Sequence, residues 1–468
     1  MNESDLSLNK FISKLNIMDP ESRIDMKFII VENLENFLEK QVLIIYKKLN
    51  ITPIIPAGCC ACKLLTHGST ELGISLNKSD IDVVLVLPNY ISRNQWFNLI
   101  VERLTENIDT VHDIVAIIDT FVPVIKLKFE KNQFDMVISC LSKQCVPSKI
   151  DFHQGSNNLP QIYDGIDPIS VRGLSSIYIL HIIKSMITQH KTVFIKFIRT
   201  IKIWTSKRQI DSYIFGFPSA IAWVIMALYI YRQTVNQTNK KITVFDLIKR
   251  FFATFRVWKW PEPVEIKQKS VESFSCERHL MPIISLVYPY KNTAFTVRQS
   301  SLAVIMDEFR RACDIIHNHE EYNKKWEKLF QEIDIAIEYR HFIHLKLVYA
   351  GDSFIRFQGL IASKLRDYAS HLESLEKILL ARIHSIGTPD NCEYDSEGKR
   401  SFSWVIGMKL KENSDFKKLG IRKEIDITEA TLSFYHILNE KSPYNSFQKM
   451  LKIEYVKGKN IRKIIEKS

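Results

Sequence analysis

Two short runs in this sequence carry the residue types needed for phosphoryl chemistry. His67-Gly68-Ser69 is followed, after ten residues, by Asp80-Ile81-Asp82, which enters the apolar run Val83-Val84-Leu85-Val86. Side chains alternate along a strand, so Asp80 and Asp82 share a face, and burial of the apolar run fixes them at its entrance. Gly68 and Ser69 add a bare backbone turn and a hydroxyl, a place to hold a phosphate chain. Two carboxylates beside such a turn suit a divalent metal and a nucleoside triphosphate, which points to nucleotidyl transfer. Two ions and a hydroxyl nucleophile need a third carboxylate. Asp135, inside Phe134-Asp135-Met136-Val137-Ile138-Ser139, is the candidate, because a charge in an apolar strand is costly unless it serves a metal or a partner. The competing reading is a strand-edge aspartate capping a turn. On the first reading Asp80, Asp82 and Asp135 are the catalytic residues and hold two ions, Mg2+ or Mn2+.

The elements that must position these residues follow from apolar periodicity. An amphipathic segment over 6–15 breaks at Met18-Asp19-Pro20, and a helical pattern follows over 25–48. After Pro53 and Pro56 the period becomes strand-like; a helix is predicted over 93–104 and strands over 121–129 and 134–139. Mixed helix and strand to about residue 165 predicts a catalytic domain. From 175 to 231 the pattern is helical, with Phe194, Phe197, Ile198 and Ile201 on one face and Arg199 and Lys202 on its flank. Phe251, Trp258 and Trp260 read as core of this region. Further on, 342–349 alternates, 353–371 is amphipathic, and 379–386 and 402–409 are strand candidates, which makes a small α+β module. His344 and Lys346 face either RNA or solvent on its sheet. The polar stretch 388–400 reads as a mobile loop, and the Lys-rich end as a solvated helix face or a phosphate-tracking arm. The predicted divisions are an N-terminal helix packing on the middle domain (1–20), a catalytic domain (21–167), a helical middle domain (168–335), a C-terminal domain (336–446) and a basic tail (447–468).

Composition sets the outer bounds. A chain of 468 residues is too long for one core. The net charge of +12 suits a polyanion such as nucleic acid, although the Lys, Ile and Asn enrichment also fits an A/T-rich genome. Cys59, Cys60 and Cys62 lack the second knuckle of a zinc site and read as reduced thiols. The N-terminus has no apolar signal region, and the longest apolar stretch, around 220–230, is too short to span a bilayer, so the expectation is an intracellular protein with no membrane partner.

His67-Gly68-Ser69-Thr70-Glu71-Leu72-Gly73 with Lys78-Ser79-Asp80-Ile81-Asp82 resembles the signature of DNA polymerase β-type nucleotidyltransferases. Downstream blocks narrow the resemblance to the eukaryotic-type poly(A) polymerases: Phe121-Val122-Pro123-Val124-Ile125-Lys126, Ile201-Lys202-Ile203-Trp204, Ile214-Phe215-Gly216-Phe217-Pro218, Trp258-Lys259-Trp260-Pro261-Glu262-Pro263-Val264 and His279-Leu280-Met281-Pro282-Ile283-Ile284. The blocks keep the family's order from about residue 60 to 300, and the C-terminal module fits more loosely.

The resemblance implies an α+β multidomain protein: a polymerase β-like nucleotidyltransferase domain, a helical middle domain and a C-terminal RNA-recognition-like (ferredoxin-like) domain. It implies template-independent addition of AMP from ATP to the 3′ end of mRNA, with release of pyrophosphate. Carried over by position, Asp80, Asp82 and Asp135 are the metal carboxylates, and His67, Gly68 and Ser69 the triphosphate loop. Lys202 contacts ATP phosphates, while Asp211, Tyr213, Ala220 and Ile221 lie around the nucleotide. Val122 and Lys126 contact RNA or the incoming nucleotide. Three departures bear on adenine selection. His67 replaces an aromatic residue, Asp211 stands where the family has tyrosine (with Tyr213 two residues on), and Ser219-Ala220-Ile221 replaces Gly-Gly-Val. The alternatives are uridylyl or CCA addition, or a silent RNA-binding scaffold. Implied partners are ATP and an RNA 3′ end, with cleavage and polyadenylation factors or a homodimer. A cellular member would act in the nucleus. The chain also resembles compact versions from large DNA viruses, which would act in a cytoplasmic virus factory or the virion.

Overall fold

The apolar run after Asp80 forms a central strand that is buried on both faces. The computed structural model describes residues 2–465 apart from 78, 119–121, 153–159, 238–240, 267–278, 352, 387–392, 395–398, 412–424 and 442–446. Phe121 and most of the predicted loop 388–400 therefore lie outside the described residues. Two helices lead the chain, α1 (Glu3–Leu15) and α2 (Glu21–Lys48). The second begins earlier than its apolar period suggests, because Pro20 occupies its N-cap position in an extended conformation.

The catalytic region then runs β1 (Cys59–Cys60), β2 (Lys63–Thr66), α3 (Gly68–Glu71), β3 (Ile81–Leu87), α4 (Arg93–Glu106), β4 (Val111–Ile117), β5 (Val124–Phe129), β6 (Asn132–Cys140) and β7 (Val146–Pro147). A five-stranded sheet has the order β2-β3-β6-β5-β4, with β3 and β6 parallel and the other neighbours antiparallel. Val83, Leu85 and Leu87 pack into a core with α2 and α4, whereas Val84 and Val86 join the core of the helical region. This double burial explains why the strand reads as a continuous apolar run. The β5–β6 hairpin turns through Glu130 and Lys131, both at positive φ (44° and 67°). Cys59, Cys60 and Cys62 are free thiols, and the Cys59 Sγ lies 2.8 Å from that of Cys145.

The middle region comprises α5 (Pro168–Met186), α6 (Lys191–Lys207), α7 (Ala220–Gln237), α8 (Val244–Phe255), α9 (Gln299–His317), α10 (Tyr322–Leu329) and α11 (Ile335–Glu338). Its core is aromatic, with Trp204 against Trp223, Phe252 and Phe309. The α1 helix lies on this region: the Asp5 carboxylate accepts the Val244 and Phe245 backbone N–H groups at 3.3 and 3.1 Å, and Phe11 stacks on Phe330. Among the described residues no helix is long and apolar enough to cross a membrane.

The C-terminal region runs β8 (His341–Tyr349), α12 (Phe354–Glu373), β9 (Ile378–Ile386), β10 (Glu393–Tyr394), β11 (Arg400–Leu410), α13 (Thr428–Glu440), α14 (Phe447–Met450), β12 (Leu451–Lys457) and α15 (Gly458–Ile465). Its sheet is antiparallel: β11 pairs with β9, β10 and β8, and β8 with β12. With α12 and α13 on one face this is a βαββαβ, ferredoxin-like unit. The predicted basic tail, 447–468, is corrected here, since its β12 is an outer strand of that sheet. Leu451 and Ile453 feed the domain core, and the lysines around them (Lys449, Lys452 and Lys457) mask the period of two.

The reading of His344 and Lys346 as an exposed platform is also corrected. Phe342, Leu380, Ile386, Val405 and Val456, on the same face as His344, belong to the core of the middle region. That face is covered at His344, which is 5 % exposed, while Lys346 stays half-buried.

Candidate active site

Three adjacent strands bring the site together at one end of the first sheet. Asp82 in β3 and Asp135 in β6 are direct partners across the parallel pair, and Lys126 in β5 stands opposite Asp135. The Lys126 Nζ donates to both Asp135 oxygens at 2.7 Å and lies 3.8 Å from the Asp80 carboxylate. All three carboxylates are half-buried. Burial, then repulsion from Asp135 and Asp80, pushes the Asp82 carboxyl up to about 6, against the pull of Lys202 and Lys126. Burial works against the Lys126 charge too, but its aspartate neighbours outweigh that and raise its pKa.

The turn before β3 is fitted to Asp82. Gly68 has φ +65°, and a Cβ there would collide with the Asp82 carboxylate, so both conformation and space require glycine. The His67 N–H donates to the Asp82 carbonyl at 3.0 Å, and the Ser69 carbonyl accepts the Ile74 N–H at 2.9 Å. The imidazole of His67 is held neutral, its pKa pushed down to about 4 by burial.

Helices of the middle region clamp the same turn. Glu71 accepts the Thr66 hydroxyl at 2.6 Å and pairs with Lys184 of α5. Arg199 of α6 donates to the Gly73 carbonyl through Nε and Nη2, at 2.9 and 2.6 Å. Nearly one turn along α6, Lys202 has its pKa pushed down to about 8 by burial, although Asp82 and Asp211 draw it the other way.

A further support escaped the sequence reading. Asp19 is 2 % exposed; it pairs with Lys27 at 2.8 Å and accepts the Ser75 hydroxyl at 2.8 Å. The Lys27 Nζ also donates to the Ser79 carbonyl, next to Asp80, at 3.2 Å. Asp19-Pro20 signalled only a helix start, and nothing local marks Lys27 as the one lysine of α2 turned inward.

The structure thus gathers Asp80, Asp82, Asp135, Gly68, Lys126 and Lys202. Lys126, read as an RNA contact, here serves as counter-ion to Asp135 and Asp80. Asp211 lies in the segment between α6 and α7 and is linked to the carboxylates electrostatically through Lys202. Tyr213 is 53 % exposed in a 3-10 turn (Tyr213–Phe215), while Ala220 and Ile221 open α7. Val122 lies in the loop before β5.

Among the described residues no three His, Cys, Asp or Glu side chains converge closely enough to hold an ion unaided. The ammonium of Lys126 takes the cation position between Asp80 and Asp135 instead. Hard carboxylate oxygens around a positive charge fit a divalent ion whose other ligands come from phosphate and water.

Comparison with known proteins agrees with this geometry. Residues 2–174 match the poly(A) polymerase nucleotidyltransferase domain and residues 193–332 the poly(A) polymerase central domain. Poly(A) polymerase pla1 of Schizosaccharomyces pombe is 29% identical over 371 residues, covering 76% of this chain and 63% of that protein. Poly(A) polymerase PAPa of Candida albicans is 26% identical over 452 residues (91% and 79%), and a poly(A) polymerase of Dictyostelium discoideum is 27% identical over 414 residues (85% and 49%). The chain thus spans less than two thirds of two of these relatives. A crystal structure of the Cid1 poly(U) polymerase, 15% identical, superposes with a TM-score of 0.50 over 71% of this chain and 100% of its own, a likeness of fold.

Proposed function

The chain belongs to the eukaryotic-type poly(A) polymerase family, and on that premise we propose that it adds AMP from ATP to RNA 3′ ends without a template. The observation that carries this reading is the fit of Gly68 against Asp82, with Asp135 and Lys202 closing around it. The primer 3′-oxygen forms a bond to the α-phosphorus, the bond to the bridging oxygen breaks, and pyrophosphate leaves.

Nucleotidyltransferases of this family use divalent metal ions. We assign two, Mg2+ or Mn2+, to Asp80, Asp82 and Asp135, where they would neutralise the triphosphate and acidify the primer hydroxyl. The chain's own residues do the rest. Gly68 keeps the space beside Asp82 clear of a side chain, so the triphosphate approaches backbone. Lys202, held at a depressed pKa while free of ligand, regains a full charge against phosphate and favours the developing pyrophosphate. Lys126 holds Asp135 and Asp80 in the ligand-free site, and a cation bound there would release its ammonium towards RNA or nucleotide phosphate. RNA is held mainly through its backbone by a chain of net charge +12, and the site of action we propose is the nucleus, the place expected of a cellular member of the family.

The test supplies each nucleoside triphosphate separately with a labelled RNA primer, first in Mg2+ and then in Mn2+. ATP is expected to give long extension and the others little. Preferred use of UTP or CTP would overturn the assignment in favour of uridylyl or CCA addition.

A further inference from the structure

The covered face of the C-terminal sheet presents two side chains that rarely enter a core. Arg382 and His384 of β9 are 3 % and 2 % exposed. Burying them is unfavourable, and Arg382 Nε and His384 Nε2 lack hydrogen-bond partners; the bonds that offset this all reach one segment. The Arg382 Nη2 donates to the Arg208 carbonyl at 2.6 Å and to the Gln209 carbonyl at 3.3 Å. The His384 Nδ1–H donates to the Gln209 side-chain oxygen at 2.7 Å.

Gln209 needs such a hold. Its φ is +51°, a conformation disfavoured for a residue with a Cβ. Further contacts join the same two domains nearby. The Arg382 guanidinium lies 5.5 Å from the Phe217 ring centroid, Arg298 borders Gly216 and pairs with Glu373 of α12, and the Ser300 hydroxyl accepts the Ala381 N–H at 2.9 Å. Asp211, which acts electrostatically on Lys202, is two residues beyond Gln209, and Tyr213 is two further on.

We propose that Arg382 and His384 are positioning residues for the incoming nucleotide. They hold Arg208 and Gln209, the residues that lead into Asp211 and Tyr213, so the C-terminal sheet sets nucleotide affinity and base choice through a segment of another domain. This rests on the reading of ATP as substrate.

The test uses the full-length chain with Arg382→Met, His384→Ala, His384→Asn and Gln209→Ala. Gln209 is exposed, so its truncation removes the contact without opening a core cavity and keeps the test valid if a buried variant fails to fold. The expected result is a rise of about five- to tenfold in KM for ATP and in the use of UTP or GTP relative to ATP, with kcat and RNA affinity within about twofold. His384→Asn, which retains a donor near Nδ1, should stay close to the unmodified chain. Unchanged KM and selectivity in all four would overturn the proposal, leaving the contacts as packing. Reduced RNA affinity at constant KM for ATP would overturn it in favour of an RNA surface. Failure of the unmodified chain to incorporate AMP would instead sink the substrate assignment.

Discussion

Two five-stranded sheets flank the helical middle of the chain, and both place polar side chains inside apolar strands. In the first they are Asp82 and Asp135; in the second they are His344, Arg382 and His384. The first sheet is packed on both faces by helices but open at the end where β3 and β6 begin. Asp80 and Asp135 accordingly keep 38% and 28% of their side-chain surface. In the second sheet the middle region covers the face itself, and Arg382 and His384 vanish into it. A polar residue in an apolar strand thus marks chemistry where a sheet end is open, and a joint between domains where a face is closed. The first arrangement meets its carboxylates with the Lys126 ammonium, a partner that a divalent cation would replace. The second is tied to the neighbouring domain through Arg382 Nη2 and His384 Nδ1, while Arg382 Nε and His384 Nε2 stay buried without a hydrogen-bond partner.

The sharpest way to break this contrast is Asp82→Asn. Extension should fall by about 10³-fold or more, as for removal of a group that acts on developing charge. The metal-free protein should become more stable at the same time. The Asp82 carboxyl is raised from the usual range to about 6, chiefly by burial. A carboxyl whose folded pKa exceeds its unfolded value holds an extra proton between the two. Stability therefore falls as pH rises through that window, and the full penalty is present at pH 7. The amide removes that penalty, so its Tm should exceed the parent's by a few degrees, about 2–4 °C, at pH 7, and the gap should close towards pH 4. Melting curves at both pH values check this. Equal Tm at pH 7 would mean that the open end stores no electrostatic cost.

Lys202→Met probes the same end from the helical side, with a smaller effect. KM for ATP should rise by about ten- to a hundredfold, the loss of a charge-assisted phosphate contact of about 1.5–3 kcal/mol. The pH profile is more diagnostic. The free-protein pKa of Lys202 lies at about 8, so kcat/KM for ATP should decline as pH rises through that value, when the ammonium deprotonates. Lys202→Met should lose that limb. A variant that keeps it would assign the titration to another group.

The two sheets were also unequally legible in the sequence. The signature of the first is local: Gly68 and Asp82 are fourteen residues apart, and the glycine announces both a positive φ and a close approach. Asp135 was legible because its strand is otherwise apolar. What lay hidden were the partners supplied across space, such as Lys126 across the β5–β6 hairpin and Asp19 with Lys27 beneath Ser79. In the second sheet the strands were readable but their faces were not. The period of two divides residues between faces without saying which face meets a neighbour. His344 and Lys346 alternate as an RNA platform would, and only the packing of Phe342 and Val405 into the middle region closes that face. The last strand was missed because Lys449, Lys452 and Lys457 gave its segment the composition of a tail.

The smallest effect tests the closed face. His344 accepts the Ser403 hydroxyl at Nε2 (3.0 Å) and donates from Nδ1 to Glu454 (3.3 Å). Burial lowers its pKa, so it carries no charge for a phosphate at neutral pH. His344→Ala should then cost about 1–2 kcal/mol of stability, chiefly through the unmatched Ser403 hydroxyl, since Glu454 keeps Lys452, measured by urea unfolding. RNA affinity should change by less than about twofold, and the slope of log K against log salt should not change, because no counterion is released at this position. A slope shallower by about 0.7, the value for one phosphate contact on a single strand, would show that RNA reaches this face. The closed sheet would then be a second binding site, and the contrast with the open one would fail.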